Sequence, residues 1–255
     1  MNNVHTLKRL LFCVACFLIP HVASATQMDR LGDQAQIVDL QTASNQSFSA
    51  YIAGPQDASQ AILLIHGWWG LDDEIKSWSN EFAVAGYRVM AIDLYDHQVT
   101  HNPAMAKKLM KSVKQSDADD KYAAAIKALS VPGRKIAVIG RSYGASQALH
   151  AAQVAKEKVA AAIVYYPYGE LMTDRKMLNN IRAPILGHFA RDDFFLKPDQ
   201  VNEFASVLKK AGLNMTVNMY EARHGFDKPG SSNFSEPAHK QAQQKTRQFL
   251  NRYLN

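Results

Sequence analysis

The sequence predicts an α/β fold: a mostly parallel central sheet of about eight strands with helices on both faces. Three observations carry this prediction. Eight short segments show the period-2 alternation or apolar runs of strands, helical patterns fall between most of the later ones, and one strand-to-helix junction holds the glycine-flanked turn Gly140-Arg-Ser142-Tyr-Gly144. The first two strands, Ile37–Leu40 and Phe48–Ala53, are placed to form a hairpin. Strand Ala61–Ile65 then leads to helix Asp73–Ala85 and strand Arg88–Ile92. Helices Pro103–Lys114 and Ser116–Leu129 precede strand Lys135–Ile139, and helix Tyr143–Ala155 follows it, rich in alanine. Strands Ala160–Tyr165 and Pro184–His188, helix Pro198–Ala211, strand Asn214–Tyr220 and helix Glu236–Tyr253 complete the pattern. A hairpin followed by β-α-β-α alternation argues for a parallel sheet opened by an antiparallel edge.

The chain's 255 residues suit one large α/β domain, and no linker or internal repeat divides residues 26–255. Residues 1–25 read as an export signal outside that domain. Lys8 and Arg9 form a basic start, Leu10 to Ile19 is an apolar run of ten residues, Pro20 breaks it, and Ala23-Ser24-Ala25 is a small-residue cleavage site. Ten apolar residues are too few to span a bilayer, so no stable membrane insertion is expected after the signal is removed. The expected product begins near Thr26 and is exported, with a bacterial periplasm as the expected destination. Both cysteines, Cys13 and Cys16, fall inside the signal. A mature chain without cysteine excludes disulfides, thiol catalysis and cysteine-ligated metals together. Without Lys8 and Arg9 the chain keeps 27 basic residues against 23 acidic ones, a net charge of +4. These charges are scattered, whereas nucleic-acid binding needs a clustered basic face, so no nucleic-acid partner is expected.

The strand Lys135–Ile139 runs into Gly140-Arg-Ser142-Tyr-Gly144, and a helix follows at once. G-x-S-x-G in that setting is the sharp turn that pushes a serine hydroxyl out over the sheet. Its glycines permit close packing, and its serine adopts a strained backbone conformation. A serine is a poor nucleophile at its free pKa, so it needs a base within hydrogen-bond reach and a third group to orient that base. Later strand ends supply both in sequence. Ala190-Arg-Asp192-Asp193 follows the strand ending near His188 and offers two candidate acids. Glu221-Ala-Arg-His224-Gly-Phe226 follows the last strand and offers the base. Spacings of 51 residues from Ser142 to Asp193 and 31 on to His224 leave room for the intervening helices. His66, His97, His150 and His188 read as structural.

A tetrahedral intermediate also needs donors for its oxyanion. One backbone N–H is expected from Tyr143, directly after the nucleophile at a helix N-terminus. The other is expected from the loop His66-Gly-Trp-Trp-Gly70, with Trp68 the first choice and Gly67 the alternative. The two tryptophans read as the mouth of a pocket rather than as core.

Five segments together resemble the dienelactone hydrolase family of the α/β-hydrolase fold: Ile65-His-Gly-Trp-Trp-Gly-Leu71, Gly86-Tyr-Arg-Val-Met-Ala-Ile-Asp-Leu-Tyr95, Gly140-Arg-Ser-Tyr-Gly144, Leu186-Gly-His-Phe-Ala-Arg-Asp-Asp193 and the run from His224-Gly-Phe226 to Gly230-Ser-Ser232. The resemblance implies Ser142 as nucleophile, Asp193 rather than Asp192 as acid, because the family has a G-x-x-D turn ending there, and His224 as base. Two positions depart from the family's founding members. They carry cysteine where this chain has Ser142, and a glutamate of an H-E-x-x-G loop where it has Gly67. Since that glutamate is tied to activating the thiol, losing both together is coherent. The resemblance implies a serine hydrolase acting on small-molecule carboxylic esters or lactones; the signal adds export, and without an H-E-x-x-H or comparable ligand cluster no cofactor or metal is expected. A peptidase on the same triad and a non-catalytic binding protein on the same fold are the competing readings. Arg141, Arg175 and Arg223 read as surface arginines rather than as partners for a substrate carboxylate, and Lys228-Pro-Gly-Ser-Ser232 suggests no chemistry. Oligomeric state is not legible.

Overall fold

Eight strands join one sheet in the order β1-β2-β4-β3-β5-β6-β7-β8. They are seen in a computed structural model that describes residues 35–168 and 180–255. The proposed export signal and Arg175 lie outside the described residues. The strands are β1 (Gln36–Gln41), β2 (Ser47–Ala53), β3 (Gln60–Ile65), β4 (Arg88–Ile92), β5 (Lys135–Arg141), β6 (Ala161–Tyr165), β7 (Ile185–Ala190) and β8 (Met215–Tyr220). The described α-helices are α1 (Asp73–Val84), α2 (Pro103–Ser112), α3 (Gln115–Leu129), α4 (Tyr143–Ala155), α5 (Pro198–Lys210) and α6 (Glu236–Leu254). This is the α/β-hydrolase architecture that the sequence predicts.

The antiparallel edge is the hairpin β1–β2, with Leu40 opposite Phe48. Asn45 takes the left-handed conformation its turn requires, at φ +61°. β2 pairs antiparallel with β4. From β4 onward every neighbour is parallel, linked by helical crossovers where the crossover is described.

Parallel strands buried on both faces must be apolar on both faces, and that is why β3 reads Ala-Ile-Leu-Leu-Ile. Alternation then sorts the side chains. Leu63, Ile65, Met90, Ile92, Ile136 and Val138 pack in a core with residues of α3, α4 and α5. Ile62, Leu64, Val89, Ala91, Ala137 and Ile139 pack in the opposite core with residues of α1 and α6. Helix ends follow capping chemistry. The Asp72 side chain accepts from the Ile75 N–H at 3.0 Å to start α1, and Asn102 with Pro103 starts α2. Gly86, at φ +96°, carries the chain out of α1 towards β4.

Two strands run two residues further at their C-terminal ends than the sequence suggests. β5 continues past Ile139, with Gly140 opposite Val164 and Arg141 opposite Tyr165. β7 continues to Ala190, opposite Tyr220. These extensions carry the chain to the rim where the site is built.

Candidate active site

The turn after β5 forces Ser142 into φ +53°, ψ −121°. Such a conformation costs a non-glycine residue on the order of 1–3 kcal/mol and persists only where the surroundings impose it. The surroundings are the two glycines. A Cβ on Gly140 would stand 2.0 Å from the Gly144 carbonyl oxygen, and one on Gly144 would stand 2.2 Å from the Ile65 carbonyl oxygen. Only glycine lets β5, α4 and the end of β3 approach this closely. The Ser142 N–H donates to the Tyr165 carbonyl at 2.9 Å, and the Tyr168 N–H donates back to the Ser142 carbonyl at 3.2 Å, tying the turn to the end of β6.

The ends of β7 and β8 bring the other two side chains to the same rim. The structure brings Ser142, His224 and Asp193 into one chain of contacts: Ser142 Oγ lies 2.9 Å from His224 Nε2, and His224 Nδ1 lies 2.8 Å from Asp193 Oδ2. A carboxylate only accepts, so Nδ1 carries the proton and donates to Asp193, and Nε2 accepts from the hydroxyl. Asp193 is itself held. Its Oδ1 accepts from the Phe195 N–H at 2.7 Å and the Leu196 N–H at 3.3 Å, and its side chain is 1% exposed. Asp192 is exposed instead, with its N–H on the Ala222 carbonyl. Among the two candidate acids, Asp193 is the one in contact with the imidazole.

His224 is packed as well as hydrogen-bonded. The Tyr166 and Phe195 rings lie 4.6 Å and 5.0 Å from the imidazole, centroid to centroid. Asn233 Nδ2 donates to the His224 carbonyl at 2.9 Å, which pins the loop.

A cavity of about 390 Å³ opens over these groups, lined by Ser142, Tyr143 and His224 together with Gly67, Trp68 and Trp69. The two tryptophan rings lie 4.5 Å apart on its wall, and Trp68 also leans on the core. Tyr143 opens α4, so its N–H has no acceptor within the helix. The loop that carries Trp68 is fixed from beneath by His66, which is fully buried. His66 Nε2 accepts from the Leu94 N–H at 3.0 Å, so Nδ1–H donates to the Gly67 carbonyl at 2.6 Å. Burial lowers the His66 pKa and favours this neutral form, although Gly67 and Asp93 pull it upward.

Arg141 corrects a sequence expectation. Read as a surface arginine, it is 6% exposed and sits beneath the site. Its Nε donates to Asp227 Oδ2 at 2.7 Å, its Nη1 donates to Glu74, and its guanidinium lies 3.5 Å from the centroid of the Trp78 ring. Burial alone would lower its pKa, but Asp227 and Glu74 more than reverse that and hold it charged. The Tyr166 hydroxyl donates to the second Asp227 oxygen. Burial, and then Asp227, push that hydroxyl's pKa well up, so it remains a donor. This buried cluster joins the residue before Ser142 to the residue three after His224. Sequence reasoning passed over Tyr166, Asp227 and Glu74. The available signal was a charged residue at the end of a central strand, which demands buried partners. Lys228, to which no chemistry was attached, stands 3.8 Å from Asp72 and 3.7 Å from Glu74. Arg223 is exposed, as expected.

The sequence pattern of the dienelactone hydrolase family matches residues 48–254, almost the whole described chain. The chain belongs to the dienelactone hydrolase family. An Aquifex aeolicus relative provisionally named carboxymethylenebutenolidase is 28% identical over 187 residues, covering 69% of this chain and 80% of its own. Two solved structures share the fold. A Klebsiella pneumoniae protein provisionally named dienelactone hydrolase aligns with TM-score 0.75 at 18% identity, covering 86% of this chain and 99% of its own. Thermogutta terrifontis esterase 2, solved phosphorylated by paraoxon, aligns with TM-score 0.62 at 21% identity over 86% of this chain and 94% of its own. In this member of the dienelactone hydrolase family, nothing in the backbone demands glycine at position 67. A Cβ there would meet only the Arg141 carbonyl oxygen, at 3.7 Å, an ordinary contact.

Proposed function

We propose that this carboxylic ester hydrolase works through an acyl-enzyme on Ser142 and acts on small esters or lactones. The observation that carries this reading is the continuous line Ser142 Oγ–His224 Nε2–His224 Nδ1–Asp193 Oδ2, with contacts of 2.9 Å and 2.8 Å, whose serine and histidine line the cavity. Ser142 Oγ attacks the carbonyl carbon as its proton passes to His224 Nε2. The carbonyl π electrons move to oxygen, and the oxyanion is received by the N–H groups of Tyr143 and Trp68. Collapse expels the alkoxide, which takes the proton from His224 and leaves an ester on Ser142. Water then attacks that ester, again giving its proton to His224, and the second collapse returns the proton to Ser142 and releases the acid. Asp193 holds the imidazole in the tautomer that the first step requires and stabilises the imidazolium. His66 takes no proton. It keeps the Trp68 loop where the oxyanion forms.

Ser142→Ala should lower kcat on 4-nitrophenyl esters by roughly 10^4-fold or more while the protein stays folded. Retention of wild-type turnover by a folded Ser142→Ala protein would defeat the acyl-enzyme. Export of the chain through residues 1–25 belongs to the same proposal, supported by the basic, apolar and small-residue pattern of that segment.

A further inference from the structure

Three carboxylates and two cations meet where α1 and the loop after β8 form one wall of the cavity. Arg141 is bonded to both Asp227 and Glu74, and Lys228 Nζ lies 3.8 Å from Asp72 and 3.7 Å from Glu74. Each cation is therefore held between two carboxylates, and the cluster carries one surplus formal negative charge. Among the described residues the remaining cation on the lining is Lys107, exposed on α2, where water and salt screen its field. The rest of the lining is largely aromatic. Trp68 lies tilted against Trp69, and Tyr168 meets Phe195 edge-on at 5.1 Å.

Resting on the acyl-enzyme reading above, we infer that the site selects esters and lactones whose acyl group is uncharged and apolar, and rejects those that carry a carboxylate. Among the described lining residues a carboxylate entering this cavity has two places to go, and both are unfavourable. Against the tryptophan ring faces it loses hydration that the neutral indole N–H groups repay only in part. Against the α1 wall it meets cations already neutralised and a net negative field in a partly desolvated setting. An apolar group gains burial on the same aromatic wall with no such penalty.

The test is a matched pair of substrates, 4-nitrophenyl 5-methylhexanoate and the 4-nitrophenyl half-ester of glutaric acid. They have the same shape and differ in an isopropyl end against a carboxylate. The neutral ester should show a kcat/KM at least about tenfold higher after correction for spontaneous hydrolysis. Glu74→Gln removes the surplus charge and should narrow that ratio severalfold. Phosphorylation of each protein by paraoxon, an uncharged reagent, reports separately whether Ser142 and its base are assembled. If Ser142 is labelled and both esters turn over equally, or the half-ester faster, the selectivity is wrong while the acyl-enzyme stands. A labelled Glu74→Gln protein with an unchanged ratio removes the charge cluster as its cause. If wild type is neither labelled nor active on either ester, the acyl-enzyme reading fails and takes this inference with it.

Discussion

Removing the Asp227 carboxylate should destabilise the protein far more than an ordinary substitution, because it strands a charge beneath the candidate active site. Asp227 is 1% exposed and accepts from Arg141 Nε at 2.7 Å and from the Tyr166 hydroxyl. In Asp227→Ala the guanidinium keeps the Trp78 ring and a single carboxylate, Glu74, whose side chain is 23% exposed and already shared with Lys228. Breaking a buried ion pair on one side costs roughly 3–5 kcal/mol. The surviving Glu74 contact argues for the lower part of that range. The orphaned Tyr166 hydroxyl adds about 1 kcal/mol or more, since a buried donor loses its acceptor. The net expectation is a loss of about 4 kcal/mol, or roughly 8–16 °C in Tm for a domain of this size. Urea and thermal unfolding followed by circular dichroism measure it directly. The double variant Arg141→Met with Asp227→Leu should recover much of the loss, because apolar groups of similar volume replace a buried pair at little cost. An Asp227→Ala loss below about 1 kcal/mol, or a double variant as unstable as the single one, would refute the claim that a buried, mutually satisfied pair supports this site.

Three further outcomes follow from the same structure. Asp193→Asn should lower kcat by about 10^4-fold through loss of the imidazole's tautomer and charge stabilisation, whereas Asp192→Asn at its exposed position should change kcat less than about threefold; steady-state assays on one ester separate them. His188, buried between the Tyr220 hydroxyl and the Thr246 hydroxyl, has its pKa pushed down to about 3, by burial first and then by Lys245. The unfolded chain therefore binds a proton near pH 6.5 that the folded one refuses, so stability is full above that pH and falls below it by up to about 1.4 kcal/mol per pH unit for this residue. Urea midpoints measured between pH 7 and pH 5 should show this fall, and His188→Asn should flatten it by one proton's worth. Expression of the full chain in a bacterium with an export pathway should yield a protein whose N-terminal sequencing begins at or near Thr26; a sequence that retains Lys8 and Arg9 would contradict the export reading.

Much of the architecture was legible because each element obeys a local rule. Apolar runs such as Ala61–Ile65 mark strands buried on both faces, and helical patterns such as Asp73–Ala85 mark the crossovers between them. The chain order of serine, acid and histidine was legible too, and the structure brings those three side chains into hydrogen-bond contact. What periodicity could not give was anything decided by pairing across the chain. Gly140 and Arg141 do not look like strand residues, yet they pair with β6 because the turn after them needs a rigid base. Arg141 looked like surface because its partners, Glu74 and Asp227, lie 67 and 86 residues away. Tyr166, at φ +36°, is held by its N–H on the His188 carbonyl at 2.7 Å and by its hydroxyl on Asp227, both contacts that only the assembled sheet creates.

The most direct measurement is peptide mapping by mass spectrometry after brief exposure to paraoxon. Wild-type protein should carry one diethylphosphoryl group, on the peptide containing Ser142, and lose ester hydrolysis in proportion to its occupancy. A modified serine elsewhere, or full phosphorylation of Ser142 with hydrolysis intact, would contradict the assignment of that hydroxyl as the nucleophile.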